Sequence, residues 1–180
     1  MRKTVRKWLW AWEFEKEEKW LDEMSAQGWA LDKVGFCRYE FVQCEPGEYA
    51  TRLEMLEEPV DAEKSREYIE FVESTGAEYI GHVVKWVYFR KKAADGGFDL
   101  YSDIDSRIRH VQRIIRLFAP LLCINMLNTV NVLNLSAQVP TAMKIFCITF
   151  VLAVDALLAF GLYKLNGMKK RLEKERMMHE

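Results

Sequence analysis

Two long apolar stretches constrain this chain more than any other feature. They cover 117–135 and 145–163, and the only charged residue within either is Asp155. As α-helices rising 1.5 Å per residue, each reaches about 28 Å, close to the hydrocarbon thickness of a bilayer. The segment between them, 136–143, carries no charge and contains Pro140, which predicts a short turn and antiparallel neighbours. Arg107, Arg109, Arg113 and Arg116 precede the first stretch. Lys164, Lys169, Lys170, Arg171, Lys174 and Arg176 follow the second, and only Lys144 stands at the turn. Cytoplasmic flanks hold the excess of Lys and Arg, so this asymmetry predicts a multi-pass protein of the cell membrane with both termini cytoplasmic. A buried hairpin in a soluble core is the alternative, and it leaves the paired basic flanks without a reason.

Polar residues interrupt both stretches. Asn125, Asn128, Asn131 and Asn134 recur every third position, so they wind around a helix rather than form one stripe. A carboxylate at the centre of a spanning helix costs about 2.5–3.5 kcal/mol on insertion scales, so Asp155 needs a partner. With Leu117 level with Tyr163, Asn125 comes level with Asp155. The expectation is that Asn125, with Asn128 nearby, hydrogen-bonds Asp155 as structural or oligomeric glue, which also allows a homo-oligomer through these helices. Proton or ion handling is the alternative, and one acid makes a poor relay. Pro120 is expected to kink the first helix.

The formal net charge of −1 conceals a division. Acids crowd 13–23 and 54–63, and cations crowd 107–116 and 164–176. The mostly acidic front argues against direct nucleic-acid binding. The basic flanks Arg107, Arg109, Arg113, Arg116, Lys169, Lys170 and Arg171 read as topology determinants and contacts for anionic lipid. Cys37, Cys44, Cys123 and Cys147 form no CxxC pair and have no histidine at ligand spacing, so four structural thiols are expected. The opening Met-Arg-Lys-Thr-Val-Arg-Lys leads into aromatic and charged residues, and no cleavable leader is expected.

The first 97 residues predict a cytoplasmic α+β domain. Residues 4–13 read as a strand with Trp8, Trp10, Trp12 and then Phe14 alternating onto one face. A helix follows over 15–27, capped by Gly28. Strands are expected at 29–36, 38–43 and 49–56, with a Pro46-Gly47 turn. A second helix covers 62–75, with Asp61 as N-cap and Gly76 ending it. Strands at 77–84 and 86–91 close the domain, with no Gly or Asn at their turn. The order β-α-β-β-β-α-β-β predicts an antiparallel sheet with helices on one face, a layout related to ferredoxin-like folds. Residues 98–116 predict an amphipathic juxtamembrane helix, capped by Ser102 or Asp103, with Ile104, Ile108, Val111 and Ile115 on one stripe. It should run straight into the hairpin of 117–165. Residues 166–180 form a charged cytoplasmic tail, expected as a short helix near the membrane.

No catalytic constellation emerges. Adjacent acids such as Glu17-Glu18 and Glu57-Glu58 read as solvated faces rather than a matched acid and base. His82, His110 and His179 are scattered and predict no metal site, and no phosphate loop or nucleophile elbow occurs. No cofactor is expected. The strongest candidate surface is aromatic: Trp8, Trp10 and Trp12, with Trp86 and Tyr88. These residues are either core or an exposed ladder for a partner helix or apolar ligand.

Several segments carry a resemblance: Glu15-Lys16-Glu17-Glu18-Lys19-Trp20-Leu21 with Gly28-Trp29, Gly35-Phe36-Cys37-Arg38-Tyr39, Glu45-Pro46-Gly47-Glu48-Tyr49, Tyr68-Ile69-Glu70-Phe71, Gly76-Ala77-Glu78-Tyr79 and Trp86-Val87-Tyr88-Phe89-Arg90-Lys91. In this order, and with the closing Leu100-Tyr101-Ser102-Asp103, the chain resembles the family catalogued as domain of unknown function 2812 over residues 4–105. The resemblance implies a bacterial, mainly Gram-positive, membrane-anchored protein encoded beside a PadR-type transcriptional regulator. It implies no activity and no catalytic residues. Val83-Val84-Lys85 departs from the small turn residue expected there.

Two functions follow as expectations. The first is a non-enzymatic, membrane-anchored interaction or sensing module that touches lipid and binds a protein, such as a PadR-type regulator. The second is an accessory subunit of a multi-pass membrane complex or transporter, motivated by Asp155 and the asparagines.

Overall fold

The computed structural model describes residues 1–101, 104–134 and 139–179. The expected helix cap at Ser102 or Asp103 and the start of the interhelical turn at Ser136 lie outside the described residues. The chain divides into two compact units, Met1–Ser102 and Asp103–Glu180.

The first unit contains strands β1 (Arg2–Arg6), β2 (Trp29–Gly35), β3 (Arg38–Gln43), β4 (Tyr49–Met55), β5 (Glu78–Val83) and β6 (Trp86–Lys92). Its helices are α1 (Phe14–Ala26) and α2 (Glu63–Ser74). The α+β class and the order β-α-β-β-β-α-β-β stand as the sequence predicts. The arrangement differs in two respects. The strands form two antiparallel three-stranded sheets, ordered β1-β3-β2 and β4-β6-β5. The helices also lie on opposite faces of the second sheet. Tyr88 joins Leu21, Met24 and Leu53 in the core under α1, whereas Val87 and Phe89 join Ile69 and Val72 under α2. Successive strand residues point to opposite faces, so β6 serves both cores at once.

The two sheets meet where β2 runs beside β5, and both strands are irregular there. The β2 register slips between Leu31 and Lys33, and the β5 register slips between Tyr79 and Gly81. Side chains close this seam instead of a ladder. Arg90 on β6 grips Glu78 through Nε (2.7 Å) and Nη2 (3.0 Å) and donates from Nη1 to the Leu31 carbonyl at 2.6 Å. Gly81, at φ +150°, keeps the backbone close: a Cβ there would stand 3.4 Å from Val34 Cγ1.

The strand predicted over 4–13 ends at Arg6. Its partner β3 begins at Arg38, directly opposite Arg6, and beyond it only Lys7 N still donates, to the Cys37 carbonyl at 3.2 Å. Without a neighbour, the alternation of Trp8, Trp10 and Trp12 has no sheet to sit on. The chain turns instead through a 3-10 segment at Ala11–Glu13 into α1. At α2 the N-cap position falls on Ala62 rather than Asp61.

The second unit is two helices, α3 (Ile104–Leu133) and α4 (Thr141–His179), packed on each other. The juxtamembrane helix predicted over 98–116 is absent from 98–101 and is helical from Ile104, where it and the first apolar stretch are one helix, continuous through Pro120. The tail is not a separate helix, because α4 continues to His179. Gly167 is its one weak former in that region, costing about 1 kcal/mol relative to Ala, and a Lys169–Glu173 pair at 3.5 Å supports the following turn. Two contacts fix the antiparallel register. Asn125 meets Asp155, and Arg176 meets Asp105 at 3.2 Å. These contacts lie about 30 Å apart along α3 and differ in register by a single residue, so the helices stay in step along that length.

Candidate functional site

Three groupings of polar or aromatic side chains stand out. The first is the set of acids on α1. Glu18, Asp22 and Ser25 recur at helical spacing along one side of it. β4 is the outer strand of its sheet, and alternate N–H groups point away from β6. Glu18 Oε1 accepts from Leu53 N at 2.9 Å, Asp22 Oδ1 from Thr51 N at 2.9 Å, and Ser25 Oγ from Tyr49 N at 3.1 Å. Asp22 Oδ2 also accepts from Arg52 Nη1 at 2.8 Å. Side chains of one helix thereby occupy a strand edge that would otherwise be open to another chain.

Glu17 points the other way, into the core, where it is 7 % exposed. Its Oε1 accepts from Tyr39 Oη at 2.7 Å and Tyr88 Oη at 2.8 Å. Tyr39 belongs to the first sheet and Tyr88 to the second, so one carboxylate ties both to α1. Burial raises the pKa of Glu17 despite the two hydroxyl donors. Burial likewise pushes Glu18 up to about 7, against the opposing pull of the Leu53 N–H and Arg52. Reading Glu17-Glu18 as a solvated face therefore fails: sequence spacing cannot reveal that an edge strand lies beside the helix.

The second grouping is aromatic. Trp12 is buried and stacks flat on Trp10 at 5.1 Å, Trp10 meets Trp8 edge-on at 5.3 Å, and Trp8 meets Phe36 edge-on at 5.8 Å. The row runs from core to solvent, with Trp8 58 % and Phe36 74 % exposed. Tyr88 is buried and committed to Glu17, and Trp86 is half-buried against Phe14. The structure therefore does not bring Trp12 or Tyr88 to the surface, and it adds Phe36, which the sequence reading passed over. Phe36 precedes Cys37, whose φ of +54° makes the tight β2–β3 turn that holds the ring outward. The one available signal was a large apolar residue at a turn position.

The third grouping lies between α3 and α4. Asn125 Nδ2 donates to Asp155 Oδ1 at 2.8 Å, and Thr129 Oγ1 donates to Asp155 Oδ2 at 2.7 Å. Asn128 is exposed and takes no part in this contact; Thr129, one position on, supplies the second donor. Among the flanking cations, Arg107, Arg109, Arg116, Lys170 and Arg171 are exposed, while Arg113 and Lys169 are half-buried. Among the described residues no group of three or more His, Cys, Asp or Glu side chains could hold a metal ion. The four cysteines are free.

These features define a class: a small α+β domain joined to two helices long and apolar enough to cross a membrane. The chain belongs to a family described as protein of unknown function (DUF2812), whose model matches residues 13–123. That match begins after Trp12 and extends into α3. No curated protein and no solved structure matches the chain.

Proposed function

We propose that this protein is a membrane-anchored, non-catalytic interaction module. α3 and α4 form a transmembrane hairpin, and the α+β domain works in the cytoplasm on a protein partner. The observation that carries this reading is the sorting of side chains on the two helices. Asp155, Asn125 and Thr129 are turned toward each other, while Leu121, Ile124, Leu127, Phe146, Phe150 and Leu152 are exposed. Only 6 % and 11 % of the two apolar windows is buried, which a core helix of a soluble protein does not tolerate. The cations at both outer ends favour cytoplasmic termini. The non-catalytic reading draws support from Glu17, Glu18 and Asp22, whose oxygens are committed to holding strands. The resemblance to proteins encoded beside PadR-type regulators makes such a regulator the first partner to test. A tagged regulator should sediment with membranes containing the full chain and return to the soluble fraction when residues 1–97 are deleted. Equal distribution in both cases rejects this partner.

A second reading is an accessory subunit of a multi-pass complex. Asn128 and Asn131 favour it, since both amides are exposed on α3 and amides facing hydrocarbon are satisfied by another helix. Purification in mild detergent separates the readings: a stoichiometric multi-pass partner supports the second.

A further inference from the structure

The aromatic end of the α+β domain has a charge that the rest of the domain lacks. Three structural facts place its parts together. Lys7 N bonds the Cys37 carbonyl, which brings the end of β1 to the β2–β3 turn. Leu31 on β2 lies against Arg90, the register partner of Glu78 on β5, and Val34 lies against Gly81. β2 and β5 therefore advance in the same direction, and their turns, Phe36-Cys37 and Val84-Lys85, lie at one end of the domain. Segments 6–12, 33–39 and 83–86 meet there. They contain Arg6, Lys7, Lys33, Arg38 and Lys85 and no acidic residue, within a domain that is acidic overall. Arg38 pairs with Glu40, further along β3, at 2.7 Å. Glu57 and Glu58 follow β4 at the same end, beside Lys85: Lys85 Nζ donates to the Glu57 carbonyl at 2.6 Å and Leu56 N to the Lys85 carbonyl at 2.9 Å, so the basic side of this end is the one formed by Arg6, Lys7, Lys33 and Arg38.

The same end exposes apolar side chains at positions where turns prefer small or polar residues. Val84 is 80 % exposed and holds φ at +57°, a conformation that disfavours a β-branched residue. With Trp8 and Phe36 it forms an apolar tip flanked on the β1–β3–β2 side by Arg6, Lys7, Lys33 and Arg38. Strained backbone that displays rather than hides an apolar group points to use of that group. A predominantly basic flank beneath exposed Trp and Phe matches the chemistry of an anionic bilayer surface, where indole rings settle at headgroup depth and Lys and Arg meet lipid phosphates.

We infer that the Trp8–Phe36–Val84 tip is a second membrane contact, docking the domain on anionic lipid headgroups. This rests on the membrane-anchored half of the reading above and goes beyond it, because the aromatic end is assigned to lipid rather than to a protein. The chain provides its own probe, since all of its tryptophans lie within 8–86 and none in 104–180. The full chain is reconstituted in vesicles containing brominated lipid, which quenches tryptophan on contact. With brominated phosphatidylglycerol, quenching should be strong, fall several-fold in Trp8→Phe, and fall again at 0.5 M salt. Brominated phosphatidylcholine should quench weakly. Arg6→Glu with Lys33→Glu keeps every tryptophan and should lose quenching only in the anionic vesicles. Equal quenching in wild type and Trp8→Phe, or none in anionic vesicles, overturns the inference. Trp8 unquenched by lipid but shielded when a regulator is added assigns the tip to protein and overturns it as well. Resistance to carbonate extraction separates the two levels: a chain that stays in the vesicles without Trp8 quenching rejects the tip alone, and a chain that washes off rejects the anchor.

Discussion

Asn125 and Asp155 face each other across the two apolar helices, with the amide donating to the carboxylate at 2.8 Å. The contact satisfies one oxygen, and Thr129 satisfies the other. The acid is thereby paired inside the hairpin rather than turned outward. Asp155→Asn should leave the hairpin folded, because the new carbonyl oxygen still accepts from Asn125 Nδ2 and the new NH2 can donate to the Thr129 hydroxyl, which accepts in turn. Asn125→Leu should destabilise it by about 1 kcal/mol, the scale of interhelical hydrogen bonds in membranes. Thermal unfolding in detergent measures both.

Glu17 carries two hydroxyl donors from two different sheets. Glu17→Ala should cost about 2–4 kcal/mol, since it strands two buried hydroxyls and opens a cavity. Tyr39→Phe removes one donor and should cost about 1 kcal/mol. Urea denaturation compares the two, and a larger loss from Tyr39→Phe than from Glu17→Ala runs against the clasp.

Glu18 titrates at about 7 in the folded domain, against an ordinary value of 4.5. The folded state therefore holds the proton more tightly than the unfolded chain does. The stability this contributes is fully present below pH 4.5 and lost as pH rises through 7. The loss amounts to as much as about 3 kcal/mol. Glu17 is raised as well and acts in the same direction. Melting the protein at pH 5 and pH 8 should show the decline, and Glu18→Gln should flatten it, because an amide oxygen still accepts from Leu53 N without a charge to bury.

Edge protection by α1 has a local readout. Asp22→Ala should accelerate amide exchange at Thr51, and Glu18→Ala should do so at Leu53, with each loss costing about 1–3 kcal/mol. Exchange at β6 amides paired inside the sheet should respond less, which distinguishes an opened edge from general unfolding.

Val84→Gly should stabilise the α+β domain by about 1 kcal/mol, since glycine adopts the left-handed turn without the Cβ clash. The same change should weaken quenching by brominated anionic lipid. A rise in melting temperature coupled to a loss of membrane contact is the expected trade.

Much of the architecture was legible along the chain. Hydropathy and length marked the two apolar helices, and setting residue 117 level with 163 in an antiparallel pair places Asn125 opposite Asp155. Alternation marked β4, and Gly28 and Gly76 marked the ends of α1 and α2. The aromatic run misled for the same reason that β4 succeeded. Alternation shows which residues would share a face of a strand but not whether a partner strand exists, and β3 offers none beyond Arg38. Likewise, Glu17 and Glu18 read as solvent-facing because their burial depends on residues far along the chain, Tyr39 and Tyr88 for one and Leu53 for the other.

The sequence by itself determined the α+β domain, the two helices of membrane-crossing length and their antiparallel register. Periodicity, hydropathy and flanking charge are local properties, and those features follow from them. Only the tertiary structure decided that the strands divide into two sheets, that α1 seals the edge of β4, and that Trp8, Phe36 and Val84 remain outside while Trp12 and Tyr88 are buried. Each of these depends on which distant backbone groups find hydrogen-bond partners, and chain order alone does not encode that pairing.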